Sequence, residues 1–182
     1  NDSITESIKI KLKNKDYLKD LIIKNIMDKC IVHSNYIYYY IVVLKNIYEI
    51  DSIIINKNID EIYKNINSKD INLNQSEYLQ FCDKNKKLDL YIGYSLLITE
   101  LEKQKIINNK IDSTINELIE LLTESDDNDE KYKCSHCLYN ILKSLYGENE
   151  LSDNYKNLVN DLIKNEKSMK IKFKFMDIID RK

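Results

Sequence analysis

Apolar residues recur at spacings of three and four along almost the whole chain, which is the period of an amphipathic α-helix. The stretch from Ile4 to Leu12 predicts a short first helix, Leu18, Leu21, Ile22, Ile26 and Cys30 mark a second, and Tyr36, Tyr40, Val43, Leu44 and Ile47 a third. A polar connection from Asp51 to Leu73 carries Ile59, Ile62, Tyr63 and Ile66, the pattern of an inserted helix, and ends in a loop-like stretch from Asn72 to Gln75. Tyr78, Leu79 and Phe81 begin another helix, which the charged run Asp83 to Lys87 is expected to end. Leu90, Tyr94, Leu97 and Leu101 step by four, three and four, and Ile111, Ile115, Leu118, Ile119 and Leu122 repeat the pattern in a partner helix. The acidic run from Glu124 to Glu130 reads as a loop.

Beyond that loop, Cys134, Cys137, Leu138, Ile141, Leu142 and Leu145 form one stripe, on a helix that ends near Gly147, a residue suited to an αL cap. Ser152 stands as N-cap of a helix carrying Tyr155, Leu158, Val159, Leu162 and Ile163. A closing helix spans Ser168 to Lys182, with Ile171, Phe175, Ile178 and Ile179 on one face. About nine or ten helices of roughly ten to sixteen residues, joined by short loops, predict an all-α fold: an α-solenoid of antiparallel hairpins, with a compact bundle as the alternative.

Composition sharpens this. The chain has no proline and two glycines, Gly93 and Gly147, so the punctuation of β-turns and parallel sheets is missing. Its 182 residues suit a single domain over residues 1–182, and the start at Asn1 reads as a domain cut from a longer protein. The longest apolar run, Tyr36 to Leu44, is too short to span a bilayer, so no membrane role and a cytoplasmic location are expected, that of the host if the chain is viral. Lysine and arginine total 28 and Arg181 is the only arginine, while asparagine and isoleucine abound. Those are residues of A/T-rich codons, the bias of a protist or a large DNA virus. A net charge of −2 and a pI near 5.8 give no global basic field, so any nucleic-acid contact must be local.

Candidate chemistry is sparse. Cys134 and Cys137 have the C-x-x-C spacing of half a zinc site or a redox motif, but no second pair accompanies them, and their place in an apolar stripe favours core. His136 and Cys137 are helix neighbours whose side chains diverge by about 100°, so they make no nucleophile pair. No glycine-rich phosphate loop exists, and neither enzymatic activity nor a cofactor is expected. The oddest local feature is the start of the closing helix, where Lys170, Lys172 and Lys174 crowd the positive end of the helix dipole. Such lysines are either a solvated face or charges held for a partner.

The ordered residues Ser168, Lys170, Ile171, Lys172, Phe173, Asp177, Ile178, Ile179 and Asp180 resemble the end of the middle domain of eukaryotic translation initiation factor 4G, with lysine in place of arginine. Three further blocks agree in order. They are Ile26 to Cys30 followed by Tyr36, Tyr39 and Tyr40; Lys84 to Lys87 followed by Tyr91 to Leu97 with Gly93 at the family glycine; and Cys134 and Cys137 before Ser144 to Gly147. The resemblance covers residues 15 to 182. It departs at Tyr94 and Ser95, in a shortened first hairpin, and in an insertion around Asp51 to Asn72.

The resemblance implies a HEAT-like translation-initiation scaffold that binds a DEAD-box RNA helicase of the initiation factor 4A type and favours one arrangement of its lobes. Lys170, Lys172, Lys174, Asp177 and Asp180 are then the helicase contacts. Lys84, Lys86 and Lys87 are contacts to messenger or ribosomal RNA. A cap-binding factor would join through regions outside this chain. Related scaffolds of mRNA decay, splicing or deadenylation, and a helical RNA-binding module, are the alternatives.

Overall fold

The structure, a computed structural model, describes residues 2–13, 15–47, 52–68, 74–147 and 149–180. Among them are nine α-helices and no strand, so the fold is all-α. The helices are α1 (Asp2–Leu12), α2 (Lys19–Val32), α3 (Ile37–Ile47), α4 (Ser52–Asn67), α5 (Glu77–Lys103), α6 (Lys110–Glu124), α7 (Asn128–Tyr146), α8 (Asp153–Asn165) and α9 (Met169–Asp180). Single 3-10 turns, Asp16–Leu18 and Ser34–Tyr36, lead into α2 and α3. No described helix is long and apolar enough to cross a membrane. The chain divides into two compact units, Asn1–Ile107 and Asn108–Lys182.

In the first unit α5 packs against α2, α3 and α4, and α1 packs on α3. Ile23, Met27 and Cys30 of α2, Ile41 and Leu44 of α3, Ile55 and Ile59 of α4, and Leu97 and Leu101 of α5 are fully buried. Gly93 marks the tightest point: a Cβ there would lie 2.3 Å from the carbonyl oxygen of Ile31, so α2 and α5 meet backbone to backbone. The two sequence blocks that contain Ile26 to Cys30 and Gly93 therefore adjoin in space. Across the same unit, Lys24 pairs with Glu61, and the Tyr91 hydroxyl donates to the Asn67 side-chain carbonyl.

The inserted helix expected between Asp51 and Leu73 is α4, whose buried face takes Ile59, Ile62 and Ile66 and extends one turn earlier through Ile55 and Asn58, while Tyr63 is exposed. The remainder of that stretch, 48–51 and 69–73, lies outside the described residues, as does Arg181. The charged run Asp83 to Lys87 does not end a helix: α5 runs through it for 27 residues, since lysine and asparagine are tolerated in a helix and no glycine or proline interrupts. Tyr36 does not start the third stripe; it is exposed in the 3-10 turn, and Ile37, Ile41 and Leu44 take the buried face.

In the second unit α7 packs on α6 and α9, and α8 packs on α9. Ile115, Cys134, Leu138, Ile141, Leu142, Val159, Ile171, Phe175 and Ile178 form its core, close to the predicted stripes. The acidic run from Glu124 to Glu130 is mostly helix ends. Only residues 125–127 are loop, because Asp127 caps α7 by accepting the Asp129 N–H at 2.9 Å and Ser125 donates to Glu130 at 2.8 Å. Gly147 has φ +55° with ψ −121°, a positive-φ cap outside the αL region. Ser152 is the N-cap of α8 by position, but its side chain makes no capping hydrogen bond.

Candidate partner-binding site

The closing helix sits in the second unit, and its charge is compensated at once. Glu166, whose side chain is 6% exposed, ends α8 and faces the start of α9. Its Oε1 accepts the backbone N–H groups of Lys167 at 2.8 Å and Ser168 at 2.7 Å, and its Oε2 lies 3.8 Å from Lys131 Nζ on α7. A carboxylate therefore stands at the positive end of the dipole, which offsets the lysines that follow.

Lys170, Lys172 and Lys174 do not form one patch. At 100° per residue Lys170 and Lys174 share a face, whereas Lys172 is turned about 200° from Lys170. Lys170 Nζ lies 3.5 Å from the centre of the Tyr132 ring, and Lys174 Nζ lies 4.4 Å from that of Tyr139, both on α7. Lys174 also pairs with Asp177 at 3.1 Å and is only 18% exposed along its side chain. Two of the three lysines thus hold α9 to α7. Lys172 is half-buried on the other flank, and Asp180 is exposed at the end of the helix.

Between the two lysine–tyrosine contacts lies His136. Its ring meets Tyr132 edge-on at 4.4 Å, and its Nε2 is buried without a hydrogen-bond partner among the described residues. Burial, then the charges of Lys174 and Lys170, lower its pKa from 6.5 to about 4, with Asp177 pulling the other way. It is therefore neutral in neutral solution. Lys143 completes the row by donating to the Tyr139 hydroxyl at 2.8 Å. Tyr132, His136, Tyr139 and Lys143 step by four, three and four, so their common face on α7 was legible in the sequence; that α9 covers it was not.

The face of α9 turned away from the core is apolar. Met169, Phe173 and Met176 repeat at four and three, and Phe173 is 56% exposed, while Phe175, two residues on, is 1% exposed. Exposed large apolar side chains in a row are a common mark of an interaction surface.

Lys84, Lys86 and Lys87 lie on the first turns of α5, where no residue from 77 to 90 is buried. They share that stretch with Glu77, Asp83 and Asp89, and Lys86 pairs with Asp83 at 3.7 Å, so the local charge is balanced. The two groups of predicted contacts fall in different units, α5 in the first and α9 in the second. Cys134 and Cys137 are buried in α7, and burial pushes the Cys134 thiol up to about 11 and that of Cys30 up to about 12. Comparison with protein-family models, with curated proteins and with solved structures finds no match.

Proposed function

We propose that this chain is a HEAT-like scaffold of the initiation factor 4G middle-domain type, which binds a DEAD-box RNA helicase through its closing helix and performs no chemistry of its own. Consecutive helices that pack on one another, α2 with α3, α4 with α5, α6 with α7 and α8 with α9, support the hairpin reading. The observation that carries the functional reading is Phe173, which stands in the most specific of the sequence blocks and is presented to solvent, not spent on the core. An exposed aromatic side chain flanked by Met169 and Met176, with Lys172 and Asp180 at its margins, has the make-up of an interface centre with a charged rim.

In this reading the scaffold accelerates the helicase by binding one arrangement of its lobes more tightly than the other, which requires differential affinity alone. The decisive experiment mixes the purified chain with helicases of the initiation factor 4A type and of related classes, measuring binding and ATPase rate. Stimulation of the initiation helicase, lost in Phe173→Ala and weakened in Lys172→Glu with unchanged melting, is the expected result. Absence of binding at micromolar concentrations to every helicase tested overturns the proposal.

A further inference from the structure

Residues 7–19 carry five lysines and one aspartate, a local charge of +4 in a chain whose net charge is −2. Lys9 and Lys11 fall in the last turn of α1. Lys13 and Lys15 follow in a tight connection, where the Lys13 N–H donates to the Ile10 carbonyl at 3.4 Å and the Lys15 N–H to that of Leu12 at 2.9 Å. Consecutive turns thus gather four cations within a short span. All four are exposed, and none has an ion-pair or hydrogen-bonding side-chain partner among the described residues. Beside them the Tyr17 ring is 78% exposed.

The other basic stretch, residues 164–174, differs in this respect. Lys164 pairs with Asp161 at 3.2 Å, and Lys170 and Lys174 lie on tyrosine rings, so its charge is used inside the fold. The lysines of α5 are balanced by neighbouring carboxylates. At the connection between α1 and α2 four exposed lysines stand with one aspartate, Asp16, and none of the four has an ion-pair partner among the described residues.

We propose that Lys9, Lys11, Lys13 and Lys15, together with the Tyr17 ring, form a binding site for single-stranded nucleic acid. Lysines gathered around a turn meet phosphates arriving along a flexible strand, and an exposed aromatic ring is a stacking platform for a base. A membrane-surface helix would need its lysines on one face and a free apolar face opposite. Here Lys9 and Lys11 are turned about 200° apart on α1, Lys13 and Lys15 lie beyond its end, and Ile8 and Leu12 are half-buried in a helix that packs on α3. The site is independent of the helicase reading, since it lies on other residues and its assay contains no helicase.

The test is fluorescence anisotropy of a 20-nucleotide single-stranded RNA of mixed sequence with the full chain at several salt concentrations. Four phosphate contacts give a slope of log affinity on log salt of about −3. In the Lys→Gln variant at positions 9, 11, 13 and 15 that slope shrinks by at least about 2, whereas Lys57→Gln with Lys64→Gln, two exposed lysines of α4, leaves it unchanged. Tyr17→Ala weakens binding about tenfold without moving the slope. A wild-type chain that ignores the RNA at low salt, or a quadruple variant with the wild-type slope, overturns the proposal. So does binding to phosphatidylserine vesicles in place of RNA. If the glutamine variant loses helicity, the charge-preserving Lys→Arg variant decides: it must keep both affinity and slope.

Discussion

Phe173 and Phe175 separate packing from recognition within three residues. Phe175→Ala removes a fully buried ring from the core of the second unit and costs about 3–5 kcal/mol in chemical denaturation, whereas Phe173→Ala costs less than about 1 kcal/mol. If both variants lose similar stability, Phe173 is a core residue and the docking face is misassigned. Gly93 gives a second test at this scale. Alanine is the better helix former by about 1 kcal/mol, but its methyl carbon would overlap the Ile31 carbonyl, so Gly93→Ala is expected to destabilise by about 1–3 kcal/mol net. A rise in melting temperature for that variant would mean that α2 and α5 separate at no cost.

The seam between α7 and α9 makes its prediction at the scale of elements. His136 binds a proton near pH 6.5 when unfolded and only near pH 4 when folded. Its contribution to stability is therefore complete above about pH 6.5 and is lost as the pH falls towards 4, because the unfolded chain takes up a proton that the fold resists. Urea midpoints measured between pH 7 and pH 4 should fall more steeply for the wild type than for His136→Phe; parallel curves would place His136 in water. The stripes of α6, α7 and α8 were legible because each is a clean 3.6-residue pattern. The length of α5 was not legible, since charged residues break an apolar pattern without breaking a helix. The same limit hid the lysine–tyrosine contacts: a sequence places Lys170 and Tyr132 each on a face but does not say which faces meet. The register of α9 was legible, by contrast: spacing places Phe175 on one face with Ile171 and Ile178, all three are buried, and Phe173 falls off that face and is exposed.

At the scale of the whole molecule, each unit has its own buried core, and each is expected to hold its structure by itself. A chain spanning residues 108–182 should show helical circular dichroism and a cooperative melt; a featureless transition would mean that this core is incomplete alone. The two groups of expected contacts, on α5 and on α9, then become separable functions, measurable on different pieces. The link at residues 166–168 bears on this separation. Glu166 grips two backbone amides within it and faces Lys131 of α7, so the rotation of α9 about its own axis is set by three residues. One residue inserted before Met169 would turn the helix by about 100°, lifting Lys170 and Lys174 off their rings and carrying Phe173 out of the exposed face. Length in this link is thus as strictly specified as any side chain, and a deletion or insertion there should abolish recognition while the amino-acid composition of the face stays the same.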